Sequence, residues 1–422
     1  MIRVRRSSIR RFPAPEESAL ICFLSLTLGE GGSVRGCAVI RPPEAAPEFA
    51  QAAEQAARLA TEVRAGSVFS FWLQMRAALD SWQKTNGKSM AAAAFGLALL
   101  ERALMDAFCR AKTKPFAACL HDNDFKIELG KLCRPLKDRQ PGKLLEGPLQ
   151  GGMRVQLAVA PAAPMTELES AIAAGYRQFN LGLSGQATAD LARLIDIAAR
   201  LDQIEGRYAV SLEGNASFAT PKELRELWEG MKAVPELKKL MRSVAYIEQP
   251  FPVDDSLTNA ALALFAEWPE RPPIIVDESD DSFGACARAL EWGYAGTVFR
   301  AARGIIPGVV DASLLGARRD REPIGKWTIA GGPLSVGLPL AQLAELSANA
   351  AFGLGSCTIT PGMLAAPTTD DPWRETLVAA HPETFDAQGA LRVNGGAIAL
   401  DEVVRAGFGC LPEIDATELL HA

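Results

Sequence analysis

Residues 245–251 read AYIEQPF: a short apolar run closes on Glu248, and Gln-Pro follows at once. The run has the length and composition of a buried strand. A bare carboxylate at its end would cost on the order of several kcal/mol or take up a proton. Either something positive meets Glu248, a metal ion or an arginine, or the acid marks the point where the strand reaches solvent.

Seven other stretches share this texture, and with SVAYIEQ (243–249) they make eight: RVQLAVA (154–160), RQFNLGL (177–183), YAVSLEG (208–214), PIIVDES (273–279), GTVFRAA (296–302), KWTIAGG (326–332) and the shorter SCTIT (356–360). Helical patterns such as ADLARLIDIAARLDQI and PVDDSLTNAALALFAEW lie between them. Strand and helix in alternation predict a parallel (β/α) barrel. An open doubly wound sheet is the alternative, but no G-x-G-x-x-G follows the first strand.

The chain before Met153 reads differently. ALICFLSLTLGEGGSVRGCAVI predicts two strands around a glycine-rich hairpin, and MAAAAFGLALLERALMDAFCRA predicts an amphipathic helix. This block, to about residue 150, reads as an α+β unit. The basic start, MIRVRRSSIRRF, is expected to be an exposed end leading into a strand. It could pass for a signal peptide, but no small-residue cleavage site follows.

At 422 residues the chain predicts one large domain with a satellite, or two to three domains. A net charge of −6 and no long basic stripe argue against nucleic acid or an anionic membrane as partner. No apolar run is long enough to span a bilayer. The eight cysteines are scattered, with no C-x-x-C, so they predict small buried hydrophobes in a reducing, cytoplasmic compartment rather than a metal site.

Three consecutive predicted strands end in acid: Glu213 in SLEGN, Glu248 in YIEQP and Asp277 in VDESDDS, each one βα unit from the next. In a barrel, such strand ends converge on one mouth. Three adjacent carboxylates repel one another unless a cation joins them, and Mg²⁺ suits hard oxygen ligands with room left for substrate. Taken singly, each acid has a plainer reading. Glu213 could be a loop residue, and DESDDS could be a helix N-cap cluster.

These motifs resemble the enolase superfamily, in particular its mandelate racemase and muconate-lactonizing branch. SLEGN, YIEQPF and VDESDDS are similar to the family's V-D-A-N, I-E-Q-P and A-D-E-S. GFGCLPEIDATEL and TLGEGGSVRGCAV resemble its closing and N-terminal glycine motifs. The resemblance implies an α/β fold: an enolase-type modified (β/α) TIM barrel (151–390) with an N-terminal α+β capping domain (1–150), which a C-terminal segment (391–422) completes. It also implies one Mg²⁺ held by Glu213, Glu248 and Asp277, with Glu278 as the fallback third ligand. Glu213 stands where the family has Asp. Kinship further implies a homo-oligomer.

Family chemistry removes a proton α to a carboxylate, and the metal stabilises the enediolate. The resemblance places the lysines of one branch at Asn180 and Gly182 on the second strand and at Arg300 on the sixth. The chain has no lysine between Lys143 and Lys222, between Lys239 and Lys326, or after Lys326, which opens the seventh strand. His121, His381 and His421 do not fall at strand ends, and AGGPLS has no acid. No base is identified. Arg300 either clamps a substrate carboxylate or pairs with a neighbouring acid. Asn180 is expected to contact substrate; Asn215 either contacts substrate or stabilises a turn. LGEGGSVRG reads as a plain hairpin, or as a specificity loop over the mouth. Two functions follow: a lyase or isomerase acting on a small carboxylate through a Mg²⁺-stabilised enediolate, or a metal- or anion-binding protein without proton abstraction.

Overall fold

A computed structural model of the chain describes residues 1–12, 19–29, 32–42, 46–324, 326–364 and 373–414. The N-terminal part is an antiparallel sheet of β1 (Ile2–Phe12), β2 (Ala19–Leu28), β3 (Ser33–Ile40) and the short β4 (Arg64–Ala65), in the order β3-β2-β1-β4. The basic start is therefore itself a strand, registered against β2 from Ile2↔Leu28 to Phe12↔Ala19. Ile2 and Val4 are buried on one face, and the arginines between and after them lie at the surface. The hairpin expected at 20–40 is β2–β3; its tip, residues 30 and 31, lies outside the described residues, and so does any role of that tip over the mouth.

Helices Pro47–Ala60, Val68–Asn86 and Met90–Lys112 pack with this sheet in one apolar cluster. Ser67 caps the second helix through a reciprocal bond with Ser70, and Ser89 caps the third. The third helix is the predicted MAAAAFGLALLERALMDAFCRA segment, buried over most of its surface.

The barrel strands are β5 (Gly152–Val159), β6 (Gln178–Gly182), β7 (Ala209–Glu213), β8 (Val244–Glu248), β9 (Ile274–Val276), β10 (Gly296–Phe299), β11 (Thr328–Gly331) and β12 (Ser356–Ile359). Seven fall within the predicted stretches, and β5 begins two residues before its own. They pair in parallel in the order β11-β10-β9-β8-β7-β6-β5-β12, and a parallel bridge between Pro333 and Thr358 joins the two ends. Helices from Met165–Ala173 to Pro339–Ala351 cover the outside, with strand and helix side chains interleaved in a second apolar cluster. Inner residues of β2 and β3, including Ile21, Phe23 and Val39, join that cluster and dock the N-terminal sheet on the barrel.

Inside the barrel, Gln156 donates to Ser211 Oγ at 2.6 Å and accepts from Tyr246 Oη at 3.1 Å. Tyr246 also packs with Ile275, Val298 and Ala330. This layer fills the lumen below the mouth. The last strand, β13 (Ala397–Ala399), pairs antiparallel with the start of β5.

Residues 407–411 return to the N-terminal helices. Buried Asp106 accepts from Cys37 N and Phe408 N, and Arg110 donates to Cys410 O at 2.8 Å. Glu101, on the same helix, accepts from Ile305 N at 2.9 Å and Ile306 N at 2.7 Å, so it caps the barrel helix Ile305–Arg321. All of the cysteines but Cys133 are buried. Among the described residues, no helix is long and apolar enough to cross a membrane.

His381 is fully buried beside this C-terminal crossing, and its Nε2 accepts from Leu411 N at 3.1 Å. Burial pushes its pKa down to about 4. The unfolded chain takes up this proton near pH 6.5, whereas the fold resists it until about pH 4. Stability present above pH 6.5 should therefore be lost as pH falls through this window, by up to roughly 3 kcal/mol. Urea unfolding from pH 7 to pH 4 should show a shallower fall for His381→Gln; equal slopes would refute this.

Candidate functional site at the barrel mouth

Glu213 and Glu248 are the last residues of β7 and β8 and stand in register. Their carboxyl groups stand close enough for each to act on the other's titration. Glu213 also accepts from Asn215 N at 2.9 Å and from Asn180 Nδ2 at 3.3 Å. Burial raises the pKa of both acids. For Glu248 the negative charges of Glu213 and Asp277 push it further, well above the carboxylate range. Among the described residues, neither glutamate forms an ion pair.

Asp277 follows β9 and is 1% exposed. It does not join the glutamates as a third free acid. Arg300 Nε donates to its Oδ1 at 2.6 Å, Arg300 Nη2 bonds to its Oδ2, and Arg303 Nη2 donates to Oδ1 at 2.8 Å. Burial alone would raise its pKa, but the two guanidinium groups overcome that and hold it below the usual range. Arg300 follows β10, and a 3₁₀ turn at Ala301–Arg303 brings Arg303 onto the same side. Of the two readings of Arg300, the pairing with an acid is the one the geometry contains. Glu278 reaches Arg300 at 3.7 Å and stays partly in solvent.

The loop carrying Asp277 is fixed by Gln249, a residue the sequence reading passed over. Fully buried, Gln249 donates to Phe251 O, Ser256 Oγ and Ser279 Oγ, at 2.7–3.1 Å. Its Oε1 accepts from Asp277 N at 2.8 Å and Ser279 N at 3.1 Å. These bonds hold its own backbone at φ 33°, a strained value for a non-glycine. No acid of DESDDS is the N-cap of helix Ala285–Glu291, which is Gly284, although Asp280 accepts from Cys286 N in its first turn.

Asn215 is exposed, with φ 45°, and contacts Glu213 through its backbone N–H; the turn is the role visible for it. Asn180 is 5% exposed, and its Oδ1 has no hydrogen-bond partner in the protein. A Cβ added to Gly182 would lie 2.7 Å from Pro161 Cδ, so this position is closed to a longer side chain unless the proline moves. At Gly332 a Cβ would meet Phe299 O at 2.7 Å and the stem of Arg300 at 3.0 Å. Lys326 is exposed before β11, and neither His121 nor His381 lies at the mouth; His421 is outside the described residues.

No family model and no curated protein sequence matches the chain. Solved structures do. A mandelate racemase/muconate lactonizing enzyme from Bordetella bronchiseptica RB50 superposes with a TM-score of 0.66 at 16% identity, covering 99% of both chains. The chain has the mandelate racemase/muconate lactonizing enzyme fold. A muconate cycloisomerase from Azorhizobium caulinodans matches it at TM-score 0.61 and 18% identity, over 99% of this chain and 98% of that one. An enolase from Bradyrhizobium complexed with magnesium and mandelic acid matches at TM-score 0.58 and 14% identity, over 94% and 93%.

On this mandelate racemase/muconate lactonizing fold, the donors at the mouth are carboxylate oxygens. No group of three or more Asp, Glu, His or Cys side chains is placed to hold a metal among the described residues. Glu213 and Glu248 remain, two adjacent carboxylates without a cationic partner. Hard oxygens in that number suit Mg²⁺, which takes one or two carboxylates and keeps other positions for water or substrate. The residues fit the ion with Asp277 set aside.

Replacing Gln249 by Leu should lower stability by roughly 3 kcal/mol or more, because buried donors and acceptors lose their partners together. A denaturant midpoint equal to wild type would show that the clamp does not hold the loop.

Proposed function

We propose that the chain is an enzyme of the lyase or isomerase type that acts on a small carboxylate at the barrel mouth, with one Mg²⁺ held by Glu213 and Glu248. The observation that carries this reading is the glutamate pair itself: two carboxylates side by side, one of them 5% exposed, with no arginine or lysine of their own. Such a pair calls for a cation or a shared proton. The Bradyrhizobium neighbour supports the substrate class, since it holds magnesium and mandelic acid, a small carboxylate.

When bound, the ion supplies positive charge against a carboxylate that is losing its α-proton. The chain's own residues do the rest. Arg300 is one-third exposed and leaves Nη1 outside its contacts with Asp277, so it can take a substrate carboxylate edge-on while Asp277 fixes its plane. Asn180 and Asn215 border Glu213. The proton acceptor is not assigned to any residue.

A second reading, a metal- or anion-binding protein that has lost proton abstraction, is favoured by the closed position at Gly182, beside which no lysine or histidine stands. Two measurements separate them. Calorimetry should show Mg²⁺ binding that Glu248→Gln abolishes; wild-type protein that binds no Mg²⁺ would sink the cation site in both readings. A library of small carboxylates incubated in D₂O should yield deuterium at the α-carbon of at least one acid. Bound metal with no exchange in any of them would leave the binding protein.

A further inference from the structure

Asn180 lies where strand β6 approaches the glutamate pair. Its amide nitrogen donates to Glu213 Oε2, which fixes the orientation of the group: turned over, Oδ1 would face a carboxylate oxygen. The oxygen shares a carbon with that nitrogen and so belongs to the same amide that contacts Glu213. It is buried, on a residue 5% exposed, and accepts no hydrogen bond from the protein. A buried polar oxygen without a donor is costly and rare. We propose that Asn180 Oδ1 is the third protein ligand of the divalent cation, beside Glu213 and Glu248, in the place that sequence resemblance gives to Asp277.

This rests on the reading that the mouth holds a cation. Three observations carry the ligand set beyond it. Both oxygens of Asp277 are engaged by Arg300 and Arg303, whose charge is permanent. Glu278, the other acid within reach, also has a buried oxygen without a partner, Oε2, but its Oε1 is turned to Arg300 at 3.7 Å. Charge agrees as well: two glutamates match a divalent ion, and a neutral amide oxygen completes the set without adding to it.

The test is a soft-metal swap on the full chain. Titration calorimetry with Mg²⁺ and with Cd²⁺ is run on wild type, Asn180→Cys and Asp277→Cys, each checked by thermal melting. Asn180→Cys should weaken Mg²⁺ by roughly tenfold or more, tighten Cd²⁺ by a similar factor, and add an ultraviolet thiolate–cadmium band absent from wild type. Asp277→Cys should add no such band. A contact acting only through Glu213 would produce neither the cadmium gain nor the band. Unchanged Mg²⁺ affinity in Asn180→Cys, or a band at position 277 and not at 180, overturns the assignment while the cation site stands. Absence of Mg²⁺ binding in wild type removes the underlying reading instead. If Asn180→Cys does not fold, the isosteric Asn180→Asp should bind Mg²⁺ more tightly, and equal affinity overturns the proposal.

Discussion

A carboxylate that is 1% exposed must find a counter-charge, and at Asp277 two guanidinium groups from the end of the next strand supply it. Much of the mouth follows from that pairing. The arginines are brought to one side by the 3₁₀ turn after β10, and that turn leads directly into helix Ile305–Arg321. The first amides of this helix are held by Glu101 from the N-terminal helices. On the other side of Asp277, Gln249 ties its backbone to the end of β8. An unbroken run of polar contacts thus reaches from the N-terminal part to the rim of the barrel.

The same pairing divides the acids at the mouth into two environments. Asp277 is held ionised by its partners, whereas Glu213 and Glu248 carry their repulsion and burial unrelieved. Neighbouring acids driven in opposite directions are characteristic of sites built for chemistry rather than for stability. Stability alone would be served better by apolar side chains at 213 and 248.

The eight barrel strands were legible because each is a short apolar run bounded by turns, and the acids at three strand ends announced the mouth. The N-terminal strand was obscured by its arginines; they line its solvent face while Ile2 and Val4 alternate inward, so the signal was period two beneath a basic composition. Arg300 had two readings, and only the spatial placement of Asp277 separates them. Arg303 stands three residues on, a spacing that means little until the intervening residues are known to form a tight turn. Gln249 was hidden in plain view: within an acid motif a buried amide reads as a neighbour, and its five hydrogen bonds connect segments up to 30 residues apart.

Gly182 and Pro161 impose a historical asymmetry on the barrel. A lysine at 182 would collide with the proline ring at its first side-chain carbon, so an amine can stand there only if Pro161 moves as well. The ring has to be vacated first, and that step by itself gains nothing for an amine-dependent reaction. Positions 182 and 161 are thereby coupled: a side chain can be accommodated at one only if the other gives way.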